Sequence, residues 1–204
     1  MSRLLVIGDI CQDVYVYGDV TRISPEAPVP VLNYHSEVKQ RGMMANVVAN
    51  LKSLGQDCDY LHQEENCEKL RVLDFKTNQQ LIRIDKDPSE VEPIRWYNIN
   101  WDEYTHLAIV DYNKGFITSE VADFICQAMK GKPIYVDSKK KDLSCYTNCI
   151  IKINEKEKQE SFNIDESNEL IVTLGDRGAE WNDTLYDAEH DVGGQLVDVC
   201  GAGD

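Results

Sequence analysis

The chain has 204 residues, with 21 Lys and Arg against 36 Asp and Glu, a formal charge of −15, and 42% apolar residues. This is an ordinary globular composition, long enough for one domain with a real core, and it excludes a disordered, collagen-like or coiled-coil chain. The acidic balance argues against a nucleic-acid or anionic-membrane partner, yet leaves room for a small phosphate ligand held by a few N–H groups and a Lys.

The run Leu4-Leu5-Val6-Ile7 near the start is too short for a signal-peptide core or a membrane span. It reads instead as a buried strand over residues 3–7, ended by Gly8-Asp9. Met44, Val47, Val48, Leu51 and Leu54 follow the spacing of an amphipathic helix, and Gly55 stands where its C-terminus favours a positive φ. Residues 107–110 predict a strand before Asp111. Ser119 is the expected cap of a helix with Ala122, Ile125, Cys126 and Met129 on its apolar face, stopped by Gly131 and Pro133. Further strands are expected over 134–136, 150–153, 170–174 and 195–199. Strands separated by helices indicate an α/β domain with a mainly parallel sheet, whose ligands bind at the carboxyl ends of the strands. Asp9, Asp111, Asp137, Asn154, Gly175 and Asp204 all follow expected strands, so they should collect along one rim.

Two stretches break this rhythm. The proline-rich segment 25–30 reads as an extended or edge piece, and residues 70–73 and 80–84 read as a hairpin turning at Lys76-Thr77-Asn78. Together they predict a small β flap over the rim. The charge run 155–160 reads as a solvated helix face. The seven cysteines form no CxxC and no paired Cys/His spacing, so they read as reduced cytosolic thiols filling apolar space; Cys145 and Cys149, four apart, would share a helix face.

The residues with chemistry to offer sit at the expected strand ends. Asp198-Val199-Cys200-Gly201-Ala202-Gly203-Asp204 sets two glycines around an alanine, a turn that can present N–H groups to an anion. Asp204 beside it can take a proton from a hydroxyl attacking a phosphoryl group, although by itself the segment reads first as a plain turn. No Lys-Ser/Thr follows, so it is not a P-loop. Asp13, just beyond the first strand, suits vicinal sugar hydroxyls or a solvated loop. Gly42-Met43-Met44-Ala45-Asn46 offers a close backbone approach at a helix start and an amide that both donates and accepts. Asn154 and Glu157 suit the waters of a Mg²⁺ ion, and the glycines of Thr173-Leu174-Gly175-Asp176-Arg177-Gly178 suit a nucleotide-phosphate loop. Each is separately also readable as a turn or a helix end.

In this order the motifs resemble those of the ribokinase-like (PfkB) carbohydrate kinases, over essentially the whole chain. The similarity is closest to the heptose 7-phosphate kinases that feed ADP-heptose synthesis. Arg22-Ile23-Ser24-Pro25-Glu26-Ala27-Pro28-Val29-Pro30-Val31 carries it, with Lys69-Leu70-Arg71-Val72, Asn78-Gln79-Gln80-Leu81-Ile82-Arg83 and Asp111-Tyr112-Asn113-Lys114-Gly115. The resemblance implies a single ribokinase-like three-layer domain over 1–204, with lid segments at about 15–35 and 69–85. It implies a cytoplasmic enzyme that transfers a phosphoryl group from ATP to a hydroxyl of a sugar or sugar phosphate. Asp204 would be the general base, and Gly201, Ala202 and Gly203 would supply N–H groups to the developing charge. Asp13, Gly42 and Asn46 would hold the sugar; Arg83 and Lys114 would hold its own phosphate. Asn154 and Glu157 would position Mg²⁺, and Asn154, Thr173, Gly175 and Gly178 would line the ATP side. The flap would exclude water and pair two copies into a homodimer.

Three departures from the family pattern stand out. Met43 occupies the place of a second glycine, which should narrow the sugar pocket. The segment between Gly55 and Lys69 is short, so units that extend the sheet there should be missing. The chain stops at Asp204, where the family continues with a helix, so it reads as the C-terminally truncated front of a longer kinase. A non-catalytic sugar-phosphate or nucleotide binding remnant is the alternative.

Overall fold

The computed structural model describes residues 3–188. Strand β1 (Leu4–Gly8) is buried along its whole length. Leu5 and Ile7 enter one core and Leu4 and Val6 another, which is why its apolar residues run continuously instead of alternating. It lies between β4 (Cys58–His62) and β7 (His106–Asp111), parallel to both. The sheet continues from β7 through β8 (Ile134–Ser138), β9 (Ile150–Asn154) and β10 (Glu169–Thr173), all parallel. An antiparallel pair, β11 (Ala179–Trp181) and β12 (Thr184–Tyr186), ends it. The strand order β12-β11-β10-β9-β8-β7-β1-β4 contains one reversal, because the chain leaves β1 for β4 on one side and comes back to β7 on the other. The crevice at the carboxyl ends of β1 and β7 is therefore the topological switch point, where open α/β sheets take their ligands.

Two helices cover opposite faces. Helix α1 (Met44–Ser53) packs Met44 and Val48 on Leu4, Val6 and Val110. Helix α2 (Ser119–Ala128) buries Val121, Ala122, Ile125 and Cys126 in the core that holds Leu5, Ile7, Leu107 and Ile109. Its cap is Thr118 rather than Ser119: Thr118 has extended backbone angles and its Oγ1 accepts from the Val121 N–H at 3.2 Å. Leu54, expected on the apolar face of α1, is 83% exposed because the helix stops at Ser53 and turns at Gly55. Residues 145–149 are not helical, so Cys145 and Cys149 share no helix face, although both are buried.

The flap is larger than expected. It is a separate four-stranded sheet of β2 (Ile10–Ile23), β3 (Pro30–Met43), β5 (Glu68–Asp74) and β6 (Gln80–Lys86), in the order β3-β2-β5-β6. Asp13 and Gly42, expected in a loop and at a helix start, are therefore both strand residues of this lid. Asp9 acts as a one-residue root for the two long strands. Its N–H donates to the Val110 carbonyl at 3.0 Å and its carbonyl accepts from the Met44 N–H at 3.0 Å. The prolines fall where the sequence puts them: residues 24–29 form the lid tip, and Pro30 opens the edge strand β3. The β5–β6 turn takes its positive φ from Asn78, and the Asp74 carboxylate accepts from the Thr77 N–H and hydroxyl.

Helix α3 (Glu155–Glu160) is the solvated helix that the charge run predicts. Strand β4 and the β11–β12 hairpin are not predicted by the sequence pattern. The hairpin signal was present in Asn182-Asp183, both of which adopt the positive φ of a two-residue type I′ turn. The expected strand 195–199 and the segment 198–204 lie outside the described residues. Among the described residues, no helix is long and apolar enough to cross a membrane.

Candidate active site

A cavity of about 250 Å³ opens at the switch point, between the lid and the end of the main sheet. The lid contributes Cys11, Asp13 and Tyr15 from β2, Gln40 to Met43 from β3, and Lys69 and Arg71 from β5. Asn46 comes from α1, and Tyr112 follows β7. Asp13, Gly42 and Asn46, read from the sequence as sugar ligands, are thus brought together. The reason for a glycine at position 42 is visible in the pairing. Gly42 faces Cys11 across the β2–β3 ladder, and a Cβ there would lie 2.0 Å from Asp13 Oδ2. The missing side chain leaves the space that the Asp13 carboxylate occupies.

Asp13 Oδ1 accepts from Arg71 Nη1 at 2.5 Å, and the Arg71 guanidinium lies 5.3 Å from the centre of the Tyr15 ring. Lys69 sits over the Tyr112 ring at 5.3 Å. Sequence reasoning quoted Lys69 and Arg71 within a motif but gave them no role. The available signal was alternation: they share one face of β5 and pair in register with Asp13 and Tyr15. Arg83 and Lys114, the expected phosphate ligands, do not line the cavity. Arg83 makes two 2.8 Å bonds to Asp85, its neighbour on the same strand face. Lys114 donates to Asp87 at 2.5 Å, and that contact, with Cys67, holds the Asp87 carboxyl below its ordinary range.

Met43 also lines the cavity. It adopts φ 57° and ψ −130°, a region open to glycine and costly for other residues, and it is buried against Cys11, Cys67 and Tyr112. The departure from a glycine thus keeps the glycine backbone and adds a thioether to the wall.

Of the expected polar rim, Asp9, Asp111, Asp137, Asn154 and Gly175 lie at or just after the ends of β1, β7, β8, β9 and β10, and Asp204 lies outside the described residues. Asp9 and Asp111 are fully buried. Asp111 Oδ2 accepts from Lys140 at 2.5 Å, Tyr146 at 2.7 Å and Ser138 at 3.0 Å. Asp9 Oδ2 accepts from the Tyr112 N–H at 2.7 Å, while Oδ1 has no partner. Burial, and then the charge of Asp111, push the Asp9 carboxyl up to about 6. Tyr112 links the cavity to the neighbouring strand ends, because its ring also lies 5.6 Å from Lys139 Nζ. Lys139 in turn donates to Glu157 at 2.6 Å and Asp137 at 3.3 Å. Burial opposes its charge, but the two carboxylates outweigh that and raise its pKa.

Asn154 and Glu157 form a reciprocal capping box on α3: Asn154 Oδ1 accepts from the Glu157 N–H, and Glu157 Oε2 from the Asn154 N–H, each at 2.9 Å. With Lys139 on Oε1, each Glu157 oxygen already accepts one hydrogen bond and keeps one lone pair. That donor set does not suit a directly bound metal, and no group of three potential ligands exists among the described residues. It does suit the outer waters of a hydrated Mg²⁺. Thr173 ends β10 beside Asn154, and Gly175 stands in an open turn after it. Gly178 is demanded by the fold itself: at φ 94°, a Cβ there would meet the Tyr186 carbonyl oxygen at 2.0 Å. Gly201, Ala202, Gly203 and Asp204 lie outside the described residues. A larger cavity, about 450 Å³ between the loop after β4 and residues 92–99, contains none of the expected site residues.

No family model matches the sequence. The chain is similar to the bifunctional protein HldE of Campylobacter jejuni subsp. doylei, 31% identical over 249 residues, covering 99% of this chain and 54% of that protein. The chain spans about half the length of the curated relatives it matches. The match is also longer than the chain by roughly 45 residues, the difference between 249 and 204, so the relative has insertions that this chain lacks. Among solved structures, phosphofructokinase-2 from Escherichia coli in complex with fructose-6-phosphate matches with a TM-score of 0.65 at 14% identity, covering 96% of this chain and 82% of that one. Arabidopsis thaliana ribokinase complexed with ribose and ATP matches with a TM-score of 0.59 at 13% identity, covering 100% of this chain and 83% of that one. These likenesses show the ribokinase-like fold.

Proposed function

We propose that the chain is a ribokinase-like (PfkB) carbohydrate kinase and works in ATP-dependent phosphoryl transfer to a hydroxyl of a sugar phosphate, as a heptose 7-phosphate kinase does; its similarity to HldE and its ribokinase-like fold support this reading. The observation that carries this reading is the switch-point cavity in which Asp13, Gly42 and Asn46 meet beneath the lid. Asp13 would accept hydrogen bonds from the sugar hydroxyls, and Asn46 would both donate and accept. The lid strands would exclude water, so that the phosphoryl group meets a sugar hydroxyl first. Asp204 would take the hydroxyl proton, beside the N–H groups of Gly201, Ala202 and Gly203. Thr173 and Gly175 would face the nucleotide, and Asn154 and Glu157 would orient the waters of its Mg²⁺. The metal would supply neutralising charge at the phosphates. Two copies would pair through the lid, in the cytoplasm.

The test is ADP formation from ATP and Mg²⁺ with heptose 7-phosphate, fructose 6-phosphate and ribose as acceptors. Sugar-dependent ADP release, lowered roughly 10²–10⁴-fold by Asp204→Ala, is expected. ATP turnover that no sugar stimulates would reject the reading.

A further inference from the structure

A separate groove of about 190 Å³ runs between helix α1 and β4, the edge strand of the main sheet. Ala45, Ala49 and Lys52 line it from the helix, Tyr60 and His62 from the strand, and Arg41 from the end of β3. Its walls carry three basic side chains and no carboxylate, in a chain where Asp and Glu outnumber Lys and Arg by 36 to 21. Neither Arg41 nor Lys52 makes an ion pair within 4 Å among the described residues, whereas Lys39, on the same strand as Arg41, is paired with Glu37. Asp59, the carboxylate of β4, alternates onto the other face of the strand, where Arg3 donates to it at 2.8 Å. The macrodipole of α1 accounts for a Lys in its last turn, but not for what surrounds that Lys. Lys52 Nζ stands 5.5 Å from the centre of the Tyr60 ring, and the Tyr60 and His62 rings are stacked at 6.2 Å with an interplanar angle of 12°. This aromatic wall is open to a ligand, since Tyr60 is 42% exposed. Ala45 and Ala49, four apart on one helix face, leave free the space that longer side chains would fill. His62 Nδ1 lies 2.6 Å from the Gln63 carbonyl oxygen, which can only accept, so Nδ1 carries the hydrogen and Nε2 is the nitrogen left for a ligand.

We infer that this groove is a binding site for a small aromatic anion, a single planar ring bearing a carboxylate or a phosphate. The ring lies along Tyr60 and His62 over the two alanines, and its charged group meets Lys52, with Arg41 adding positive potential from the other end. The volume sets the size, because the groove is smaller than the pockets that take drug-sized ligands. The two unpaired cations disfavour a neutral or cationic ring, and a bare inorganic anion would leave the aromatic wall unused. Of the residues lining this groove only Arg41 also lines the cavity under the lid. The inference therefore holds whether or not the protein transfers a phosphoryl group to a sugar.

Calorimetry on the full chain tests this, with benzoate, phenyl phosphate, phenol and inorganic phosphate as probes. Benzoate or phenyl phosphate should bind at least about 10-fold more tightly than phenol and inorganic phosphate, which each supply one half of the ligand. Whichever of the two binds better identifies the charged group. Ala49→Leu, a good helix former at an exposed position, fills the groove and should cut that binding more than about 10-fold, while Ala49→Ser should leave it within about twofold. Lys52→Gln should weaken it about 5-fold, the worth of an exposed charged contact, and Lys52→Arg should restore it. Saturating fructose 6-phosphate should not compete. Aromatic anions that bind no better than their two halves, binding that survives both Ala49→Leu and Lys52→Gln, or displacement by fructose 6-phosphate would each overturn the inference.

Discussion

Replacing Gly42 with Ala tests the geometry on which the sugar site depends. The added Cβ would stand 2.0 Å from Asp13 Oδ2, 3.0 Å from Cys11 Sγ and 3.1 Å from Asp13 Cγ. An ordinary C···O contact is about 3.3 Å, so the carboxylate must retreat by roughly 1.3 Å. Asp13 is short and can turn, so the fold survives, but turning takes it off Arg71 and out of the cavity. The two side chains are only 17% and 12% exposed. Losing that pair should cost about 1–3 kcal/mol, between the surface and the fully buried cases. For a chain of this length that is a fall in Tm of roughly 2–12 °C. Loss of charged hydrogen bonds to the sugar should weaken its binding about 10–100-fold. Calorimetry with the best acceptor sugar and a thermal melt read both effects. The double variant Asp13→Ala/Gly42→Ala isolates the cause: once Asp13 is truncated, Gly42→Ala should add less than about 1 kcal/mol. A Gly42→Ala protein with native affinity and Tm, or additive losses in the double variant, would refute the argument.

Other expectations follow from single residues. Met43 holds a glycine backbone, so Met43→Ala keeps the strain and loses the packing, at about 2–5 kcal/mol, whereas Met43→Gly also releases about 1–3 kcal/mol of strain. Urea titrations should therefore find Met43→Gly the more stable of the two, against the usual order of Ala and Gly. Glu157→Gln preserves the capping box but removes the charge beside Lys139, so sugar-dependent ADP release should fall several-fold while urea stability changes by less than about 1 kcal/mol. Asp9, raised to about 6 when folded against about 3.8 unfolded, binds its proton more tightly in the native state. Its contribution is therefore fully present below the unfolded value and is lost as pH rises through the folded one, by about 3 kcal/mol between pH 4 and 6. Denaturation across that window should show this slope, and Asp9→Asn should remove it; an unchanged slope in Asp9→Asn would assign the titration elsewhere.

The main sheet was legible because parallel strands buried on both faces announce themselves as apolar runs, and Leu4 to Ile7 is such a run. The polar rim followed from it, since whatever succeeds a parallel strand must gather at one edge. The lid was legible in existence but not in extent. Residues 33–41 of β3 are largely exposed, so the strand lacks the buried face that would impose a period of two on its sequence. That is why Gly42, near the end of this strand, reads from the sequence as the start of a helix. The basic residues of the lid show the complementary limit. Arg83 and Lys69 are both basic residues of lid strands, and nothing local separates them. Arg83 has Asp85 two positions on, hence on its own face of β6, and that neighbour neutralises it. Lys69 has Asp13 opposite it in register and Tyr112 beneath it, partners 56 and 43 residues away along the chain. Which cation a fold leaves unpaired is decided by strand register, and register is set by pairing across the sheet.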